Sequence, residues 1–209
     1  MSVEIIFEFH STSLDNESGV ASGWSDPLLS DGGRALASEL GERRQVEQIA
    51  AVFCSDLRRA IETAEIAFGA RIPIHPDRRL REYDYGTMTG APVEHIHAER
   101  PARVDMPFPE GESLRDVADR IRDFLKDLAR EWDGNRILII GHGATKLAPD
   151  YLLGQHVAEG GGVPDVYLGA DPAQLLICPR AVIRILGTAG LSSLTRVCLG
   201  KIRRRGLVQ

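Results

Sequence analysis

The sequence predicts one α/β domain, a three-layer α/β/α sandwich around a mostly parallel sheet. Three observations predict it. Short runs rich in β-branched and aromatic residues alternate with stretches of helical periodicity between residues 3 and 153, the pattern of strands crossed over by helices. Residues 136–140 form a near-continuous apolar run, as expected of a parallel strand buried on both faces. With 209 residues, 43% of them hydrophobic and 26% charged, the chain is large enough for one sizeable core.

The elements follow in order. Residues 3–9 read as a strand that ends at His10-Ser11-Thr12-Ser13. After a loop containing Gly19, Gly23 and Pro27, Ser30 is placed to cap a helix running to about Arg44, because its hydroxyl can accept from an amide of the first turn. Residues 49–54 form a second buried strand. Ser55 is then expected to cap a helix through Phe68, with Leu57, Ile61, Ala64 and Phe68 recurring at helical spacing. Ser113 and Asp116 have the spacing of a capping box. They open a helix over residues 114–132, striped by Val117, Ile121, Phe124, Leu125 and Leu128. The apolar strand 136–140 runs into Gly141-His142-Gly143 and a helix through Leu153. Beyond Gly160, residues 174–178 and 181–186 have strand character, interrupted by Pro172, Pro179 and the segment from Gly187 to Gly190.

Charge divides the chain. Residues 160–209 hold seven basic residues against Asp165 and Asp171, a net of +5, so the preceding 159 residues carry −10 of the total −5. The change falls at Gly160-Gly161-Gly162, a flexible sequence. The expected organisation is one domain over residues 1–159, with a C-terminal segment over 160–209 that is either divergent or disordered. The overall acidity gives no reason to expect nucleic-acid binding, and the basic run from Lys201 to Arg205 reads as a solvated tail. No apolar run approaches the roughly 18 residues of a membrane span. The opening Met1-Ser2-Val3-Glu4 lacks the basic region of a secretory signal. Three scattered cysteines, Cys54, Cys178 and Cys198, suggest neither a disulfide framework nor a zinc site. These features together predict a cytoplasmic protein. His95 and His97 lack ligand partners at metal spacing, so no metal is expected.

In open parallel sheets, ligands sit beyond the carboxyl ends of the strands. His10, Ser55 and His142 all follow strands closely, which brings three loops to one edge. Five separated segments then fall in a telling order. His10 to Asn16 with Ser22-Gly23-Trp24 and Gly33-Arg34 comes first, then Ser55-Asp56-Leu57-Arg58-Arg59-Ala60. Leu80-Arg81-Glu82-Tyr83-Asp84-Tyr85-Gly86 is third, followed by Gly111-Glu112-Ser113-Leu114 and Gly141-His142-Gly143. Over residues 3 to 155 this set resembles the phosphoglycerate-mutase-like members of the histidine phosphatase superfamily.

The resemblance implies a catalytic set of His10, Arg59, Glu82 and His142. His10 would attack phosphorus and become phosphorylated, a task suited to a neutral imidazole. Arg59 would offer a fork of donors to the phosphoryl oxygens, and His142 would stabilise charge in the transition state. Glu82 would protonate the leaving alcohol and then activate water; its alternative role is an ion pair with Arg79 or Arg81. Amides following Ser55 and Gly143, at helix N-termini, would add to the phosphate field. Asn16, Ser22, Gly23 and Gly143 would contact substrate, although Asn, Ser and Gly are also ordinary turn formers. The implied partner is a small phosphorylated molecule, with no cofactor; the oligomeric state is not implied.

Two departures matter. The family's first motif places arginine before the nucleophile; here that residue is Phe9, and glycine after it is Ser11. Lys146, one helical turn beyond His142, and the hydroxyls of Ser11, Thr12 and Ser13 are candidate substitutes, whereas Arg58 should point away from the site. Lys146 alternatively reads as a solvated surface residue. The mutase branch has a lysine eleven residues after the acid, and here it is Val93. The arginine-rich insertion of that branch is also missing. Hydrolysis is therefore expected over phosphate shuttling, with a catalytically impaired phospho-ligand binder as the rival reading.

Overall fold

A computed structural model of the chain describes residues 2–157, 181–186 and 194–198. The strands are β1 (Ser2–Phe9), β2 (Ala51–Cys54), β3 (Ile74–Pro76), β4 (Arg136–Gly141), β5 (Ala181–Leu186) and β6 (Leu194–Cys198). They form one sheet in the order β3-β2-β4-β1-β5-β6. The first four are mutually parallel, and β5 and β6 continue the sheet antiparallel from β1. The helices are α1 (Leu14–Glu17), α2 (Asp31–Arg43), α3 (Arg58–Phe68), α4 (Val93–Glu99), α5 (Leu114–Glu131) and α6 (Gly143–Val157).

Alternation along the strands makes the three layers. Ile5, Ile137 and Ile139 pack with Val117, Ile121, Phe124, Leu125 and Leu128 of α5 and with Ala144, Ala148 and Leu152 of α6. The opposite face carries Ile6, Val52, Leu138 and Ile140, which pack with Leu40 of α2 and Ala60, Ala64 and Phe68 of α3. Each buried aliphatic side chain contributes roughly 1.5–3 kcal/mol, so two clusters sharing one sheet hold its centre rigid.

Register places the functional edge. Phe9 pairs with Gly141, and Glu8 and Cys54 both pair with Ile140. The His10 amide then donates to Gly141 O at 3.0 Å, and the Ser55 amide to Ile140 O at 3.0 Å. The three loops that begin at His10, Ser55 and His142 are thereby fixed side by side.

Ser30 caps α2, its Oγ accepting from the Gly33 amide, and the Ser113–Asp116 capping box opens α5. The cap expected of Ser55 is different. Its Oγ accepts from Leu57 N, while the first helical amide, of Arg58, donates to Asp26 Oδ1 at 2.6 Å. A carboxylate from the first loop supplies what a local hydroxyl was expected to supply, and so ties that loop to α3. The second strand starts at Ala51 rather than residue 49, and the last helix reaches Val157. The strand expected at 181–186 is β5. That at 174–178, the Gly160-Gly161-Gly162 stretch and the Lys201–Arg205 run lie outside the described residues. Among the described residues, no helix is long and apolar enough to cross a membrane.

Candidate active site

His10 sits at the carboxyl end of β1. Its Nδ1 lies 2.7 Å from Ser11 O. A carbonyl only accepts, so Nδ1 carries the proton and Nε2 presents a lone pair. Burial, and after it the Arg59 guanidinium, push this imidazole down to about 3; it stays neutral at physiological pH. Ser11 is itself pinned, its amide donating to Thr63 Oγ1 at 2.9 Å, so β1 and α3 hold the ring's support from both sides.

Arg59, in the first turn of α3, is only 2% exposed. Its Nη1 and Nη2 donate to Ser25 O and Gly23 O, each at 2.9 Å, and its Nε points to His10 Nε2 at 3.3 Å. No carboxylate lies within ion-pair distance among the described residues. Burying a charge without a counter-ion is costly. That cost is intelligible if an anion arrives beside His10. Gly23, whose φ of +50° favours glycine, lets its carbonyl meet Arg59.

His142 is fully buried behind this pair, its ring centroid 4.8 Å from that of His10. Nη2 of Arg59 lies 3.4 Å from His142 Nδ1. Since a guanidinium only donates, the proton of His142 belongs on Nε2, which is buried and has no hydrogen-bond partner among the described residues. Burial, then Arg59 and His10, hold this imidazole well below its usual pKa.

Glu82 faces them from the loop before α4. Its Oε1 accepts from the amides of Tyr83 (2.9 Å) and Ala144 (3.1 Å), and its Oε2 from Gly143 (3.1 Å). The N-terminal amides of α6 thus hold this carboxyl in place. The alternative ion pair is not made: Arg81 pairs with Asp56, and Arg79 with Asp77 and Asp127. Two side chains that sequence reasoning missed fix the Glu82 backbone. Trp24 Nε1 and Arg120 Nη2 donate to Glu82 O at 2.8 and 2.9 Å, and Arg120 also binds the carbonyls of Arg79 and Arg81.

A cavity of about 240 Å³ opens among these elements. Phe9, His10, Arg59, Glu82 and the expected contacts Asn16, Ser22, Gly23 and Gly143 all line it. His142 is not on its wall. Asn16 has its Oδ1 engaged by the amide and hydroxyl of Ser13. Lys146 is not on the wall either; its Nζ lies 5.5 Å from the Phe9 ring centroid. Arg58 is exposed, as expected of its place on the helix. The opposite wall, unforeseen except at position 93, comes from Tyr85 and from Val93, Ile96, His97 and Arg100. Positions 93, 96, 97 and 100 are one helical face, a signal present in the sequence but lacking a motif to draw attention to it. Among the described residues, no three His, Cys, Asp or Glu side chains are grouped to hold a metal ion.

The profile of the histidine phosphatase superfamily (branch 1) matches residues 6–161. Phosphoglycerate mutase-like protein 4 of Arabidopsis thaliana is 34% identical over 154 residues, 68% of this chain and 67% of that one. Phosphoserine phosphatase 1 of Hydrogenobacter thermophilus is 28% identical over 151 residues, 67% of this chain and 71% of that one. Among solved structures, YhfR of Bacillus stearothermophilus superposes with a TM-score of 0.71 at 25% identity, covering 96% of this chain and 98% of that one.

Proposed function

The chain belongs to the histidine phosphatase superfamily, and from that premise we propose that it hydrolyses phosphomonoesters through a phosphohistidine on His10, with neither metal nor organic cofactor. The lone pair of Nε2 forms the bond to phosphorus while the bond from phosphorus to the leaving oxygen breaks. Glu82 gives that oxygen a proton and becomes a carboxylate. It then takes a proton from water as the water oxygen attacks the phosphohistidine, releasing phosphate and restoring His10. Phosphoryl transfer asks mainly for positioning and charge stabilisation. Arg59 supplies the charge, and the Nε2–H of His142 supplies a further donor.

The observation that carries this reading is the state of His10: proton held on Nδ1 by Ser11 O, the lone pair of Nε2 met only by Arg59 Nε at 3.3 Å, and that guanidinium without a carboxylate partner among the described residues. Substrates of this protein are small phosphorylated molecules met in the cytoplasm, neither nucleic acid nor membrane being involved.

The test is release of phosphate from a panel of phosphomonoesters by the wild-type chain and by His10→Ala. Turnover lost by several orders of magnitude in the variant, together with an acid-labile phosphoenzyme in the wild type, is the expected result. Equal turnover by both proteins overturns it. Phe9 favours a second reading, in which a phospho-ligand is bound without being cleaved; binding with no turnover in either protein would select it. Interconversion of phosphoglycerates, dependent on a bisphosphate, would instead select a mutase.

A further inference from the structure

Within that reading, we propose that Lys146 is a second cation of the phosphoryl site, resting on the Phe9 ring in the free protein and drawn onto the phosphoryl oxygens when an ester binds. Phe9 then serves as the resting place of that ammonium.

Positive charge beside His10 is short. A phosphoryl dianion in line with Nε2 meets the Arg59 guanidinium, while His10 and His142 are neutral imidazoles. Arg100 stands on the opposite wall, donating to Tyr85 Oη at 2.9 Å. Lys146 is a cation that nothing else in the site uses. It is half-buried and has no acidic partner within ion-pair distance among the described residues, whereas the other described lysine, Lys126, is exposed and pairs with Asp123. Lys146 also lies in the first turn of α6, at the positive end of the helix dipole, where a cation is disfavoured. Glu82 accepts from the Gly143 and Ala144 amides of that turn without pairing with it. A cation kept there, partly out of water and without a counter-ion, is suited to an anion that arrives with the substrate.

Its place in the fold directs it to His10. Phe9 pairs with Gly141 across β1 and β4, and Thr145 is laid so closely on Gly141 that a Cβ there would stand 2.8 Å from its side chain. The first turn of α6 is thereby fixed against the end of β1. Position 146 is three residues beyond Gly143, which lines the cavity, and so lies on the same helical face. Side chains of a helix lean back toward its N-terminus, which sends the Lys146 stem toward Gly143. Its Nζ lies 5.5 Å from the centroid of the Phe9 ring, and that ring, directly before the nucleophile, forms part of the cavity wall. A cation–π contact is weaker than a charge-assisted hydrogen bond to phosphate. The flexible four-carbon stem of lysine lets the ammonium exchange one for the other.

The experiment measures binding of inorganic phosphate to the full chain by calorimetry, in a cycle of Lys146→Met and Phe9→Leu. Lys146→Met should weaken phosphate about 10- to 100-fold, and Lys146→Arg should retain most of the affinity. Phe9→Leu, which keeps an apolar wall but removes the ring face, should tighten phosphate about two- to fivefold, because the ammonium no longer has to leave a partner. Beside Lys146→Met the same change should do nothing. Denaturant midpoints without phosphate should be no lower for Lys146→Met than for the wild type, since a cation leaves the positive end of α6. Phosphate affinity unchanged in Lys146→Met overturns the proposal, as does a wild-type chain that binds no phosphate. So does a Phe9→Leu effect that is the same with and without Lys146, or a lowered midpoint accompanying lost binding, which would make Lys146 a structural support. The hydrolytic reading is judged separately, by phosphate release from esters. A protein whose phosphate affinity depends on Lys146 but which releases no phosphate would keep this inference and lose that one; undiminished turnover and phosphate affinity in Lys146→Met would do the reverse.

Discussion

The two walls of the cavity are built differently. On one, His10 and Arg59, with His142 behind them, sit where β1, α3 and β4 come together, cross-tied by hydrogen bonds from His10 N to Gly141 O and from Ser11 N to the Thr63 hydroxyl. On the other, Glu82 rides on a loop held by Trp24, Arg120 and the amides of α6, and Arg100 stands where α4 ends. The first wall is locked by the sheet itself, and a shift of one strand position would dismantle it. The second is positioned by Trp24, Arg120 and the amides of α6 rather than by strand pairing. Chemistry common to every phosphomonoester belongs on the rigid wall, and discrimination among alcohols on the adjustable one.

The difference can be broken or sharpened by measurement. Arg59→Lys should cost the most, on the order of 10³-fold in kcat/KM, and should do so alike for aryl and alkyl phosphates, because the lost fork serves the phosphoryl group. Steady-state kinetics on both substrate types checks this; a strongly substrate-dependent loss would erase the division between walls. Glu82→Gln should cost roughly 10²-fold on alkyl phosphates but far less on p-nitrophenyl phosphate, whose leaving group needs no proton. A uniform loss on both substrates would mean that Glu82 chiefly holds α6 in place.

The smallest effect concerns stability. His10 and His142 are held neutral in the folded chain, with pKa values below the ordinary 6.5. Unfolded, they would protonate as the pH drops through about 6.5, so the unfolded state gains protons that the native state refuses. Stability is therefore full above about pH 6.5 and falls below it, by up to about 1.4 kcal/mol per pH unit for each imidazole. Denaturant midpoints between pH 7.5 and 5 should show a shallower fall for His10→Gln than for the wild type. Identical slopes would show that this imidazole titrates normally in the fold.

Much of the rigid wall was legible in the sequence. Histidines directly after apolar strands, a serine-capped helix and the Ser113–Asp116 box are local signals, and local signals survive without a partner. The cap of α3 was not legible, because Asp26 reaches it from a loop 32 residues away. Nor was β3, a three-residue strand with two exposed positions, or α4, which follows Pro92 and buries only Ile96.

The sequence by itself determined which residue types come to the cavity and in what order they come along the chain, since alternating strands and helices leave their loops little choice of edge. Only the tertiary structure decided which nitrogen of His10 carries the proton and that His142 stands behind His10 rather than on the wall. It alone showed that Arg100 comes to the cavity with no acidic partner among the described residues. Those facts depend on which carbonyls and carboxylates fold back from distant segments, and no spacing along a chain records who is absent from an ion pair.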